Sequence, residues 1–154
     1  MILKFRELNK LQKEKVVYTA GSFDLLHTGH IDYLRLIKEK FPGYKLIVGL
    51  LPDQRIAAKK GKERPIINQH NRLKMIDALK FVDYCFICPL YKEGQDATYV
   101  IVKKLKPEHV VFPQKKYLKH SDWFKEQNIN LSIGPRTRSQ LSTSIIIEKI
   151  KKLK

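Results

Sequence analysis

The stretch Val16-Val17-Tyr18-Thr19-Ala20-Gly21-Ser22-Phe23-Asp24-Leu25-Leu26-His27-Thr28-Gly29-His30 decides the fold of this chain. Its first five residues are mostly apolar, β-branched or aromatic and read as a strand. Gly21 and Ser22 open a turn, after which Ile31, Leu34 and Ile37 recur at helical spacing. A strand, a glycine turn and a helix N-terminus in that order make an anion site. Unpaired backbone N–H groups and the positive end of the helix dipole converge on one spot. His27 and His30, three residues apart, share one face when the first helical turn starts here. Two imidazoles beside a phosphate cradle suit stabilisation of a polyphosphate better than metal binding or nucleophilic attack.

Outward from this stretch, short apolar runs alternate with helical patterns. Strands are expected over 16–20, 45–51, 84–88, 109–112 and 130–133, and helices over 29–40, 69–80, 96–106, 121–128 and 142–152. The runs are mostly continuous, as parallel strands covered on both faces should be. Phe41-Pro42-Gly43 stops the first helix, Asn68 can cap the second, and Pro107 follows the third. The expected fold is therefore α/β: a Rossmann-like, doubly wound, parallel five-stranded sheet with helices on both faces. Residues 1–15 read as an N-terminal appendage, with Phe5, Leu8 and Leu11 at rough helical spacing, and 16–154 as the domain proper.

The chain of 154 residues is long enough to bury a core, and 43% hydrophobic with 30% charged residues describes a globular protein, not a disordered one. No apolar run approaches the roughly 20 residues of a membrane span, and the N-terminus lacks a signal-peptide stretch. A cytoplasmic protein is expected. The net charge of +16 raises the encounter rate with anions such as nucleotides and sugar phosphates. It also permits nucleic-acid or acidic-membrane binding, although a lysine-rich solvated surface is the favoured reading. Cys85 and Cys88 form a C-x-x-C pair, yet an offset of three along a strand sends the thiols to opposite faces. No second pair exists, and His109 and His120 lie outside zinc spacing, so both cysteines read as structural.

The run Gly21-x-Phe23-Asp24-x-x-His27-x-Gly29-His30 resembles the HxGH signature of the cytidylyltransferase-like nucleotidyltransferase superfamily. Its fuller form is similar to a narrower group. That group takes in glycerol-3-phosphate and ethanolamine-phosphate cytidylyltransferases, the adenylyltransferase domain of ADP-heptose synthase, and archaeal FAD synthetase. Lys59-Lys60-Gly61-Lys62-Glu63-Arg64-Pro65-Ile66, followed by Arg72, resembles the K-G-x-x-R-P-I segment of the ADP-heptose synthase domains. Arg136-Thr137-Arg138-Ser139-Gln140-Leu141-Ser142-Thr143-Ser144 resembles R-T-x-G-I-S-T-T of the glycerol-3-phosphate enzymes, with one residue inserted, Gln140 for glycine and Ser144 for the last threonine. A Gly-Asp pair that many relatives carry after the fourth strand is replaced by Pro113-Gln114-Lys115-Lys116, so the acceptor side of the pocket is expected to differ.

These resemblances imply transfer of a nucleoside monophosphate from CTP or ATP to a small phosphate monoester, with pyrophosphate leaving. Cytidylyl transfer ranks first by a small margin; adenylyl transfer of the ADP-heptose synthase or FAD synthetase type is the alternative. A catalytically inactive nucleic-acid or anion-binding module on the same fold is the reading from another class. Catalysis falls to His27, His30, Lys59 and Lys60. Nucleotide contacts fall to Gly21, Ser22, Phe23, both histidines, Arg136, Arg138, Ser142, Thr143 and Ser144. Substrate contacts fall to Lys59, Lys62, Arg64 and Arg72, while Asp24 organises the loop. Which lysine, and which of Arg136 and Arg138, meets phosphate stays open. No protein metal site is expected; Mg²⁺ would be bound mainly through the nucleotide phosphates. A homodimer is the expected assembly.

Overall fold

A computed structural model describes residues 1–90, 97–137 and 139–153. Five parallel strands form one sheet: β1 (Val16–Gly21), β2 (Lys45–Leu50), β3 (Tyr84–Ile87), β4 (His109–Phe112) and β5 (Asn130–Ile133). Their order is β3-β2-β1-β4-β5. The chain winds outward from β1 in one direction through β2 and β3, then returns to β1's other edge with β4. That reversal places the topological switch point, where such sheets bind ligands, between β1 and β4. The long β1–β2 pairing runs in register from Val16 with Lys45 to Gly21 with Leu50, so both strands end together at the motif turn.

Among the described residues α1 (Thr28–Lys40), α2 (Asp53–Lys60), α3 (Gln69–Asp77), α4 (Ala97–Leu105) and α5 (Ser121–Glu126) lie between strands, and α6 (Thr143–Lys151) follows β5. α1 and α3 pack on one face, where Leu34, Ile37, Leu73 and Ile76 meet Val17, Leu46 and Val48. α4 and α5 cover the other, where Ile101, Leu105 and Phe124 meet Tyr18, Ile47 and Val110. Cys85 belongs to the first cluster and Cys88 to the second; both thiols are free and buried. Burial, reinforced by Asp77, pushes the Cys85 thiol up to about 12, which makes it a poor nucleophile. Residues 1–15 contain a 3-10 helix, Phe5–Leu11, whose Leu8 and Leu11 are buried in the α4 face. Residues 1–3 run beside β3, with the Leu3 amide donating to the Cys85 carbonyl.

One helix departs from the sequence expectation. No helix is expected between β2 and residue 69, yet Asp53–Lys60 is helical. Pro52 precedes it, Asp53 sits in its first turn, Lys59 and Lys60 in its last, and Gly61 ends it at φ 95°. Each choice complements the helix ends and dipole. The helix carries no apolar stripe to announce it, because only Ile56 is buried. A second unannounced element, a 3-10 helix over Lys115–His120, follows β4.

Gly49 shows how tightly the strands' carboxyl ends pack. A Cβ there would lie 2.7 Å from the Tyr18 hydroxyl and 2.8 Å from Cys88 Sγ. Gly49→Ala should therefore destabilise the fold by about 1–3 kcal/mol, the usual cost of overpacking. A urea denaturation midpoint equal to that of the parent would contradict this packing.

Candidate active site

The motif loop leaves β1 through two residues that rarely adopt its backbone, Phe23 at φ 47° and Leu25 at φ 46°. Between them the Asp24 side chain turns fully inward. It accepts from the Ile67 amide (3.0 Å), the Ile66 amide (3.0 Å) and Arg64 Nε (2.8 Å). Burial alone would raise the pKa of this carboxyl. The two amides and the Arg64 guanidinium outweigh that and hold it below the ordinary aspartate range. The Asp24 carbonyl in turn accepts from Thr143 Oγ1 at 2.7 Å. One residue thus ties the motif loop, the 64–67 segment and the start of α6 together.

His27 caps α1, its carbonyl accepting from the His30 and Ile31 amides. The two imidazoles stack with ring centroids 3.8 Å apart, and Phe23 meets His30 edge-on at 5.3 Å. Gly29 is needed between them, since a Cβ would lie 3.1 Å from the His27 ring and 3.2 Å from the Leu141 carbonyl oxygen. Gly21 makes room in the same way for the Phe23 ring, which lies 2.9 Å from where its Cβ would be. Nδ1 of each histidine is buried without a hydrogen-bond partner. Burial, then His27 and Lys60, pull His30 down to about 4. Burial also lowers His27 from its ordinary value. Near neutral pH the pair is uncharged, and an anion beside it would draw protons onto it.

Both histidines open onto a cavity of about 510 Å³ at the switch point. Gly21, Ser22, Phe23, Lys59, Lys60 and Thr143 line it with them. Desolvation and the nearby Arg64 lower the Lys60 ammonium from its ordinary value. Lys62, Arg64, Arg72, Arg136, Ser142 and Ser144 do not line the cavity, and Arg138 lies outside the described residues. Arg64 pairs with Asp24 at 2.7 Å. Arg72 is completely buried and donates to the carbonyls of Ile67, Ser22 and Leu51 and to Asp53 Oδ1. These two arginines, expected to touch substrate, brace the site's walls in this structure. Ser142 caps α6 by accepting from the Ile145 amide at 3.2 Å. The Thr143 hydroxyl is already donated to Asp24, so only its remaining surface faces the cavity.

Sequence reasoning missed several wall residues. Arg55 lies one turn before Lys59 on α2, a spacing legible only once the helix is known. Tyr33 reaches across the switch point, hydrogen-bonding Thr19 of β1 at 3.1 Å and the Val111 carbonyl of β4 at 3.3 Å. Pro113, Gln114, Lys116 and Tyr117 form the wall where the Gly-Asp pair was absent. Among the described residues no cluster of His, Cys, Asp and Glu could hold a metal ion, and no helix is long and apolar enough to cross a membrane.

A helix N-terminus, paired imidazoles and lysines on one cavity at the carboxyl ends of a parallel sheet define a polyanion-handling α/β domain. The family model described as Cytidylyltransferase-like matches residues 18–149, and the chain belongs to this family of nucleotidyltransferases. It is 34% identical over 154 residues to the bifunctional protein HldE of Helicobacter pylori, covering 97% of this chain. With HldE of Helicobacter hepaticus it is 43% identical over 107 residues, 70% of this chain. The chain spans 30% and 21% of the length of these two relatives. A lipopolysaccharide core biosynthesis protein from Thermoplasma volcanium superposes with a TM-score of 0.62 at 27% identity, covering 80% of this chain and 98% of that one. A pantothenate synthetase from Thermus thermophilus shares the fold, with a TM-score of 0.67 at 14% identity over 98% of this chain and 70% of its own.

The depressed His30 pKa carries a sign. The folded state resists protonating this ring, so its contribution to stability is complete above the ordinary value of 6.5 and is lost as pH falls toward about 4. Wild-type protein without ligand should lose stability across that window, and His30→Gln should lose less. Identical pH profiles in urea titrations of the two proteins would overturn the assignment.

Proposed function

We propose that this chain transfers an adenylyl group from ATP to a small phosphate monoester, with release of pyrophosphate. One observation carries the reading: His27 and His30 stack on the same cavity as Lys59 and Lys60, each ring with a buried, unpartnered nitrogen. In-line attack by a phosphate oxygen on the α-phosphorus needs no general base, because the nucleophile is already an anion. Catalysis then rests on positioning and on balancing charge over the α-phosphate and the departing pyrophosphate. The α1 amides receive phosphate oxygens, the histidines donate to the α-phosphate as charge develops, and Lys60 steadies the leaving group. Asp24 and Arg72 hold the segments that present these groups.

Two features weigh toward adenylyl over cytidylyl transfer, reversing the order ranked from sequence. The Lys60-to-Ile66 segment resembles that of ADP-heptose synthase adenylyltransferase domains, and the similarity to HldE proteins covers nearly the whole chain. Cytidylyl transfer remains the second reading, favoured by the Arg136-to-Ser144 resemblance and by Thr143 at the cavity wall. Magnesium fits as a companion of the triphosphate. Among the described residues Asp24, which lines the cavity, and Asp53 are engaged by Arg64 and Arg72, which leaves the metal to nucleotide oxygens. Bound there, it would reduce charge on the phosphates.

A pyrophosphate-release assay with Mg-ATP and Mg-CTP over a panel of phosphate monoesters tests the proposal. Turnover with ATP is expected. Turnover with CTP alone would select the second reading, and none with any nucleotide would sink both. Replacing His27 or His30 by Ala should lower kcat about 10²–10³-fold, with a much smaller change in nucleotide affinity. Near-normal turnover in both variants would refute the mechanism.

A further inference from the structure

We propose that Arg55 binds the phosphate of the acceptor, a role that resemblance had distributed over Lys59, Lys62, Arg64 and Arg72. The proposal deepens the nucleotidyl-transfer reading and rests on it for the identity of the anion. Three arginines stand on the segment from α2 to α3. Arg64 is paired with Asp24, and Arg72 with Asp53 and three backbone carbonyls. Among the described residues Asp24 is the carboxylate that lines the cavity, and Asp53 also accepts from the Gln69 amide. Among the described residues Arg55 has no counter-ion. Half-buried on the cavity wall, its guanidinium makes no hydrogen bond or ion pair among the described residues.

A guanidinium kept partly from water without an anion has donors to offer. Its planar fork matches a phosphate monoester with two parallel hydrogen bonds. Position separates it from the nucleotide groups. Lys60, at the far end of α2, is the cation that acts electrostatically on His30. Arg55 sits in the first turn of α2, about 7.5 Å along the helix axis from Lys60. Lys60 and the histidines thus serve the triphosphate, while Arg55 is offset toward the β2 end of the cavity, where a second phosphate can enter. A γ-phosphate shares this chemistry, so the test must separate the two sources.

The experiment is calorimetric titration of wild-type, Arg55→Ala and Arg55→Lys protein with inorganic phosphate and, separately, with α,β-methylene-ATP. Phosphate is titrated both onto free protein and onto protein saturated with the analogue. Phosphate affinity should fall about ten- to hundredfold in Arg55→Ala, the loss of one charge-assisted contact, with a smaller fall in Arg55→Lys. Affinity for the ATP analogue should change less than about twofold. Lys103→Ala, on the exposed face of α4 away from the cavity, should leave phosphate binding unchanged and so controls for the general positive charge. Unaltered phosphate affinity in Arg55→Ala would overturn the proposal, as would a selective fall in analogue affinity. Because the readout is phosphate binding, it stands apart from turnover: absent pyrophosphate release sinks nucleotidyl transfer, whereas these titrations judge Arg55.

Discussion

The site depends on one buried carboxylate. Asp24 is enclosed between two residues forced into left-handed backbone, and a carboxylate there is costly unless its oxygens are satisfied. They are satisfied by residues 64, 66 and 67, some forty positions along the chain. Meeting that demand brings the segment after α2 up against the motif loop. The Asp24 carbonyl then recruits Thr143 and with it the start of α6. Three stretches far apart in sequence thus converge because one charge has to be neutralised out of water. The strain at Phe23 and Leu25 is held by the same bonds.

Arg72 plays the complementary part. Its guanidinium joins the ends of β1 and β2 to α2 and to the chain before α3, through carbonyls at Ser22, Leu51 and Ile67 and the carboxylate of Asp53. Four of its five N–H donors are spent on these partners. The rim of the sheet is therefore braced by an acid and a base that face away from the reaction. The groups proposed to act, His27, His30, Lys60 and Arg55, stand on helix termini around it. Division of labour by burial explains why so basic a segment contributes fewer groups to the cavity than its composition promises.

The histidine pair shows the same logic in another form. Stacked rings with buried nitrogens and a neighbouring lysine are held neutral in the empty site, because burial and like charge both oppose protonation. A polyphosphate reverses that balance. In the proposed reaction the site is thus most electropositive when it holds the anion it acts on. Preorganised stacking, enforced by Gly29, spares the rings a search for position.

How much of this was legible in the sequence divides along physical lines. The strand–turn–helix run from Val16 to Ile37 determined the sheet class, the anion-binding turn and the two histidines, because local periodicity and glycine placement act within a few residues. The opposite-facing cysteines followed from strand geometry alone, and the Ser142 cap from its place before an apolar helix. Helix α2 escaped notice because eight residues with one buried side chain make no periodic signal, and Arg55 went unnoticed with it. Arg64, Arg72 and Thr143 find their partners far along the chain: Arg64 at 40 positions, Arg72 at 21 and 50, and Thr143 at 119. Sequence told that these residues are basic or hydroxylic; only the tertiary fold could decide whether their donors meet a buried carboxylate, a backbone carbonyl or the open cavity, since which acceptor is nearest is a property of distance through space.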